Sequence, residues 1–173
     1  MGTRRVPARR WLALVLPTLV LSGAGLTPAR AALDITVPTS KSLGSRPVGS
    51  GTLTAALGTV TVTSTNLIGT WTASVSSTSC TTGAGGSQRT VGTSQLSYWS
   101  GPVTATTGLL SLTTPGQATA ANAVTLSTTR TAFSAVTVNI LQSTVSWNPT
   151  FIVNVPSSVV AGMYTCTVTH SVA

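Results

Sequence analysis

Tyr164-Thr-Cys-Thr-Val-Thr-His-Ser-Val172 is the stretch whose reading decides the fold. Tyr164, Cys166, Val168, His170 and Val172 fall on one face, and Thr165, Thr167, Thr169 and Ser171 on the other. A period of two marks a β-strand with one buried and one wet face. Working outward, the same period recurs. Phe151, Val153 and Val155 alternate up to Pro156, as do Leu33, Ile35 and Val37 before Pro38. Val60 and Val62 alternate with threonines, and Trp71, Ala73 and Val75 with Thr72, Ser74 and Ser76. Val136, Val138 and Ile140 form a further set.

Glycine- and proline-bearing stretches separate these runs: 44–51, 82–87, Gly101-Pro102, Thr114-Pro-Gly116 and Ala161-Gly162. No long segment has helical period. Beyond Ala31 the chain holds 31 Thr and 21 Ser, and branching at Cβ suits a pleated surface. Many short strands at this spacing predict an all-β fold, an immunoglobulin-like β-sandwich forming a single domain over 32–173.

Residues 1–31 read as an N-terminal signal peptide. Arg4, Arg5, Arg9 and Arg10 precede the apolar run Trp11–Leu21, then Ser22-Gly-Ala-Gly25 and the small-x-small pattern Ala29-Arg30-Ala31. The mature chain is expected to start at Ala32. The run is shorter than the roughly 20 residues a spanning helix needs, and Pro17 interrupts it, so a retained anchor is disfavoured. Sec export fits better than a twin-arginine route, because the residues flanking Arg9-Arg10 match poorly.

The leader carries five of the nine basic residues behind the net charge of +8. Lys41, Arg46, Arg89 and Arg130 remain against Asp34, a net charge of +3 with no basic cluster. Nucleic acid is therefore not an expected partner.

Export puts Cys80 and Cys166, the only cysteines, in an oxidising setting, and a disulfide between them is expected. Cys80 is out of phase with Trp71 and Val75, which places it in a turn. Acid–base chemistry has little to work with. Asp34 is the only acidic residue and His170 the only histidine. A Ser-His-Asp arrangement from Asp34 and His170 lacks a Gly-x-Ser-x-Gly elbow. No enzyme activity, metal or cofactor is expected.

The candidate ligand-contacting residues are aromatic. Trp71 is in phase with the core. Trp147, in Ser146-Trp-Asn-Pro149, precedes a strand and is expected to cap the core or one end of the sandwich. Tyr98-Trp99 should turn one ring in and one out, and an exposed ring beside Gly101 could stack on a sugar. Tyr164 and His170 sit on the inward face of the last strand.

Several motifs together resemble a known family. They are Leu33-x-Ile-x-Val-Pro38, Gly58-Thr-Val-Thr-Val62, Gly69-Thr-Trp-Thr-Ala-Ser-Val75, and the run from Trp147 through Ala161-Gly-Met-Tyr-Thr-Cys-Thr-Val-Thr169 to Val172. They are similar to the WxL-type surface domains of Gram-positive bacteria. The resemblance implies a β-rich exported domain held non-covalently on the cell wall through peptidoglycan, with a wall glycan or a surface protein as partner. Both W-x-L motifs are altered here, to Trp71-Thr-Ala73 and His170-Ser-Val172. No sortase signal or membrane tail follows Val172, so retention is expected to be non-covalent. A second expectation is self-association into a layer or fibre, because Thr-rich strands with few charges leave sheet edges unguarded.

Overall fold

The computed structural model describes residues 33–65, 68–138 and 142–173, so the leader and Ile140 lie outside the described residues. Its strands are β1 (Leu33–Thr36), β2 (Gly51–Ala56), β3 (Val60–Ser64), β4 (Ile68–Ser77), β5 (Cys80–Thr81), β6 (Thr90–Val91) and β7 (Leu96–Trp99). They continue with β8 (Val103–Thr107), β9 (Leu110–Pro115), β10 (Val124–Thr125), β11 (Arg130–Val138), β12 (Ser143–Trp147), β13 (Thr150–Val155) and β14 (Val168–Val172). The fold is all-β, a sandwich of antiparallel sheets, as the alternation requires.

One sheet has the order β1-β3-β12-β8, and β14-β4-β11-β9 faces it across the core. A third sheet, β10-β7-β13-β2, extends the first. Strands β2, β7 and β13 run on into β3, β8 and β12 and keep the same neighbours, so three long strands share a bend. The bend crosses Leu57–Thr59, Ser100–Pro102 and Asn148-Pro149. There Leu57 N–H donates to the Pro149 carbonyl at 2.8 Å, and Gly58 N–H donates to Asn148 Oδ1 at 3.1 Å. Gly58 has φ +108°, and a Cβ on it would lie 2.8 Å from Pro38 Cγ, so only glycine fits.

Strand periodicity places the core. Val60, Val62, Val145 and Trp147 point inward from the first sheet, and Trp71, Ala73, Val75, Phe133 and Ala135 from the facing one. Leu96, Tyr98, Phe151 and Val153 extend the core along the third sheet. Trp147 is wholly buried, stacked on Phe133 with ring centroids 4.8 Å apart and on Trp71 at 6.5 Å. Burying aromatic rings of this size supplies much of the apolar area that holds such a sandwich together.

Four expectations are corrected. Trp147 precedes a strand, β13, as expected, but it does not cap an end. It closes β12, because the Asn148-Pro149 step bends the chain without ending the sheet. Val136 faces solvent, while Phe133, Ala135 and Thr137 face inward. A bulge between Thr131 and Phe133 shifts the register and sets small Ala135 opposite Trp71. Strand β1 stops at Thr36, leaving Val37 exposed. Cys80 is not in a turn. It lies buried in β5, paired with Val91 of β6.

The Cys80–Cys166 disulfide forms as expected. The Tyr164–Val172 run keeps its inside–outside alternation throughout. Its regular ladder begins only at Val168, and before that Thr165 makes an isolated bridge to Thr81. No helix among the described residues is long and apolar enough to cross a membrane.

Candidate functional site

The bend brings three polar aromatics into one chain of hydrogen bonds. Trp147 is fixed by its place at the end of β12, Tyr98 by β7 and His170 by β14. Trp147 Nε1–H donates to Tyr98 Oη at 3.4 Å, and His170 Nε2 lies 3.0 Å from the same oxygen. With Tyr98 Oη accepting from the indole and donating to the imidazole, both contacts are satisfied at once. Burial pushes the Tyr98 hydroxyl well above its ordinary pKa, while the Trp147 hydrogen bond pulls weakly the other way. Burial also lowers His170 to about 4, so the ring stays neutral at ordinary pH.

His170, half-buried, lies at the outer end of this chain and lines an open groove of about 350 Å³. One wall is the segment 37–43 that follows β1, and the other is 165–168 leading into β14. Leu57, Val60 and Phe151 contribute the apolar floor. Thr39, Ser40, Thr165 and Thr167 line it with hydroxyl-bearing side chains, and exposed Lys41 adds the one cation of the lining. The disulfide fixes the second wall, because Cys166 itself lines the groove.

Chemically, the groove offers hydroxyl groups and one cation around an apolar floor. With its pKa lowered to about 4 by burial, His170 is a weak proton acceptor at neutral pH. Asp34 is exposed on the outward side of β1, whereas His170 faces inward from β14, so the pair does not assemble. Among the described residues, no group of three His, Cys, Asp or Glu side chains gathers to hold a metal.

Of the five aromatic and histidine candidates, only His170 lines the groove. Trp71 and Trp147 are 2% and 0% exposed, which leaves no face on which a sugar could stack. Tyr98 turns in and Trp99 out, and the half-buried Trp99 ring lies against Gly101 at the bend. Tyr164 is half-buried, and its hydroxyl donates to the Val160 carbonyl at 2.8 Å, tying down the chain that leads into the groove wall.

Sequence reasoning missed Lys41, Thr39, Ser40, Thr165 and Thr167. The one available signal was that Lys41 is the only lysine in the chain. Compared with protein-family models, curated proteins and solved structures, the chain matches none.

Proposed function

We propose that this chain is an exported, non-enzymatic surface domain that associates non-covalently with the Gram-positive cell wall and holds peptidoglycan in the Lys41–His170 groove. The observation that carries the reading is the groove itself. Hydroxyls and one cation line an apolar floor, a mixture suited to a sugar backbone bearing carboxylates. The leader-like residues 1–31 and the motifs resembling WxL-type domains support the same reading, as does the net charge of +3 beyond Ala31 against an anionic wall.

Sedimentation with purified peptidoglycan tests it. Lys41→Ala combined with Thr167→Val should weaken binding by roughly three- to tenfold, the cost of losing one solvent-screened ion pair and one neutral hydrogen bond at an open site. Trp99→Ala should leave it unchanged. Undiminished sedimentation of the groove variant would remove the groove from the reading.

A second reading, a subunit that self-assembles or pairs with a partner in a surface layer, is favoured by β8. This edge strand is exposed at all five residues and carries no charge. A mass by light scattering that stays monomeric at every concentration would eliminate it.

A further inference from the structure

The hydrogen bonds that join Trp147, Tyr98 and His170 fix where the imidazole carries its proton. Tyr98 is wholly buried, and among the described residues its hydroxyl meets two partners, Trp147 Nε1 and His170 Nε2. The indole can only donate, so Tyr98 Oη accepts from it. If Nε2 also carried a proton, Tyr98 Oη would accept twice and its own proton would have no acceptor. A buried donor left unpaired is costly. Tyr98 O–H therefore donates to Nε2, and the neutral imidazole keeps its proton on Nδ1.

Nδ1 is the nitrogen without a partner. Among the described residues it makes no hydrogen bond, and it is not one of the sealed, unpartnered polar atoms, which are Ser111 Oγ and Gln117 Oε1. The half-buried ring lines the groove, beside the floor of Leu57, Val60 and Phe151. A neutral donor over an apolar floor suits a neutral acceptor, because a carboxylate set there would lose hydration without meeting an opposite charge. The cation of the lining, Lys41, is exposed on the wall formed by 37–43. An amide carbonyl fits best: its oxygen accepts from Nδ1–H while its neighbouring alkyl group covers the floor.

We propose that His170 Nδ1–H is the donor that recognises an amide carbonyl of the ligand, with Tyr98 and Trp147 as positioning residues that hold the ring in this tautomer. This rests on the groove being where peptidoglycan binds. Peptidoglycan offers such carbonyls from two sources, the acylamino groups of its sugars and its peptides.

His170 is the only histidine, so nitrogen NMR of the protein carrying isotope-labelled histidine reads a single imidazole. In the free protein at neutral pH, Nδ1 should bear the proton and Nε2 should not. Tyr98→Phe, which removes only the hydroxyl, should move the proton towards Nε2. Glycan strands stripped of peptide, and the peptides alone, are then added separately. The fragment that supplies the carbonyl should shift the Nδ1–H signal downfield and slow its exchange with water. Its affinity should fall roughly three- to tenfold in Tyr98→Phe. His170→Asn, whose amide N–H sits near the place of Nδ1, should bind roughly threefold more tightly than His170→Gln. A ring proton on Nε2 in the free protein overturns the proposal, whatever the groove binds. Binding of either fragment with an unmoved Nδ1–H signal overturns it too, while cell-wall binding stands. If neither fragment binds, the peptidoglycan reading falls and this proposal falls with it.

Discussion

The two ends of the sandwich are built by opposite rules. At the bend, restraints accumulate: the Cys80–Cys166 disulfide, the Trp147–Tyr98–His170 hydrogen bonds, and Gly58 pressed against Pro38. At the far end, Ile68 and Leu109 are left in water. Stability is concentrated at one end, and sticky surface is left at the other. A chain with so few charges cannot spread a protective polar shell evenly. It keeps its order where the sheets bend and its reactive surface where losing a side chain costs little.

The largest test of this contrast is removal of the cross-link. Replacing Cys80 and Cys166 by serine should lower the unfolding free energy by about 4–5 kcal/mol, the chain-entropy value for closing a loop of this length. Denaturant unfolding of the variant against the parent measures it, and an unchanged midpoint would break the comparison.

The next effect is on pH. The unfolded imidazole takes a proton near pH 6.5, and folded His170 does so only near 4. Between those values the unfolded chain binds more protons, so stability should fall as pH drops from about 6.5 to about 4. The loss should be on the order of 2–3 kcal/mol, and His170→Gln should flatten the profile. With Asp34 the only acidic side chain, little else titrates in that window.

The smallest effect belongs to the open end. Leu109→Ser should change stability by no more than about 0.5 kcal/mol, as expected of an exposed turn residue. A larger drop in the thermal midpoint would mean that the turn end helps to hold the fold.

The strands that alternate cleanly were legible from residues alone. Trp71, Ala73 and Val75 face inward as their spacing predicts, and so do Phe151 and Val153. Strand β12 was hidden because Asn148-Pro149 reads as a stop, yet here it bends a sheet that continues into β13. The facing of Val136 was misread because the inward positions beside it hold small Ala135 and polar Thr137, so the more apolar row is the outward one. The groove was out of reach for a different reason. Lys41, Leu57, Phe151 and His170 come from four separate segments, so no local motif announces it. The Tyr98–His170 contact likewise joins residues 72 positions apart.

The separation of 86 positions between the two cysteines also sets a timetable. Strand β4 is synthesised well before β11 and β14, its two neighbours in the sheet. Its backbone groups therefore wait, unpaired, for segments that arrive much later. Assembly from such distant pieces belongs to the slow class of topologies. Yet a chain with two cysteines has only one intramolecular disulfide to make. Oxidation within one molecule cannot choose a wrong partner, so it records the arrival of Cys166 beside β5 and then prevents its departure.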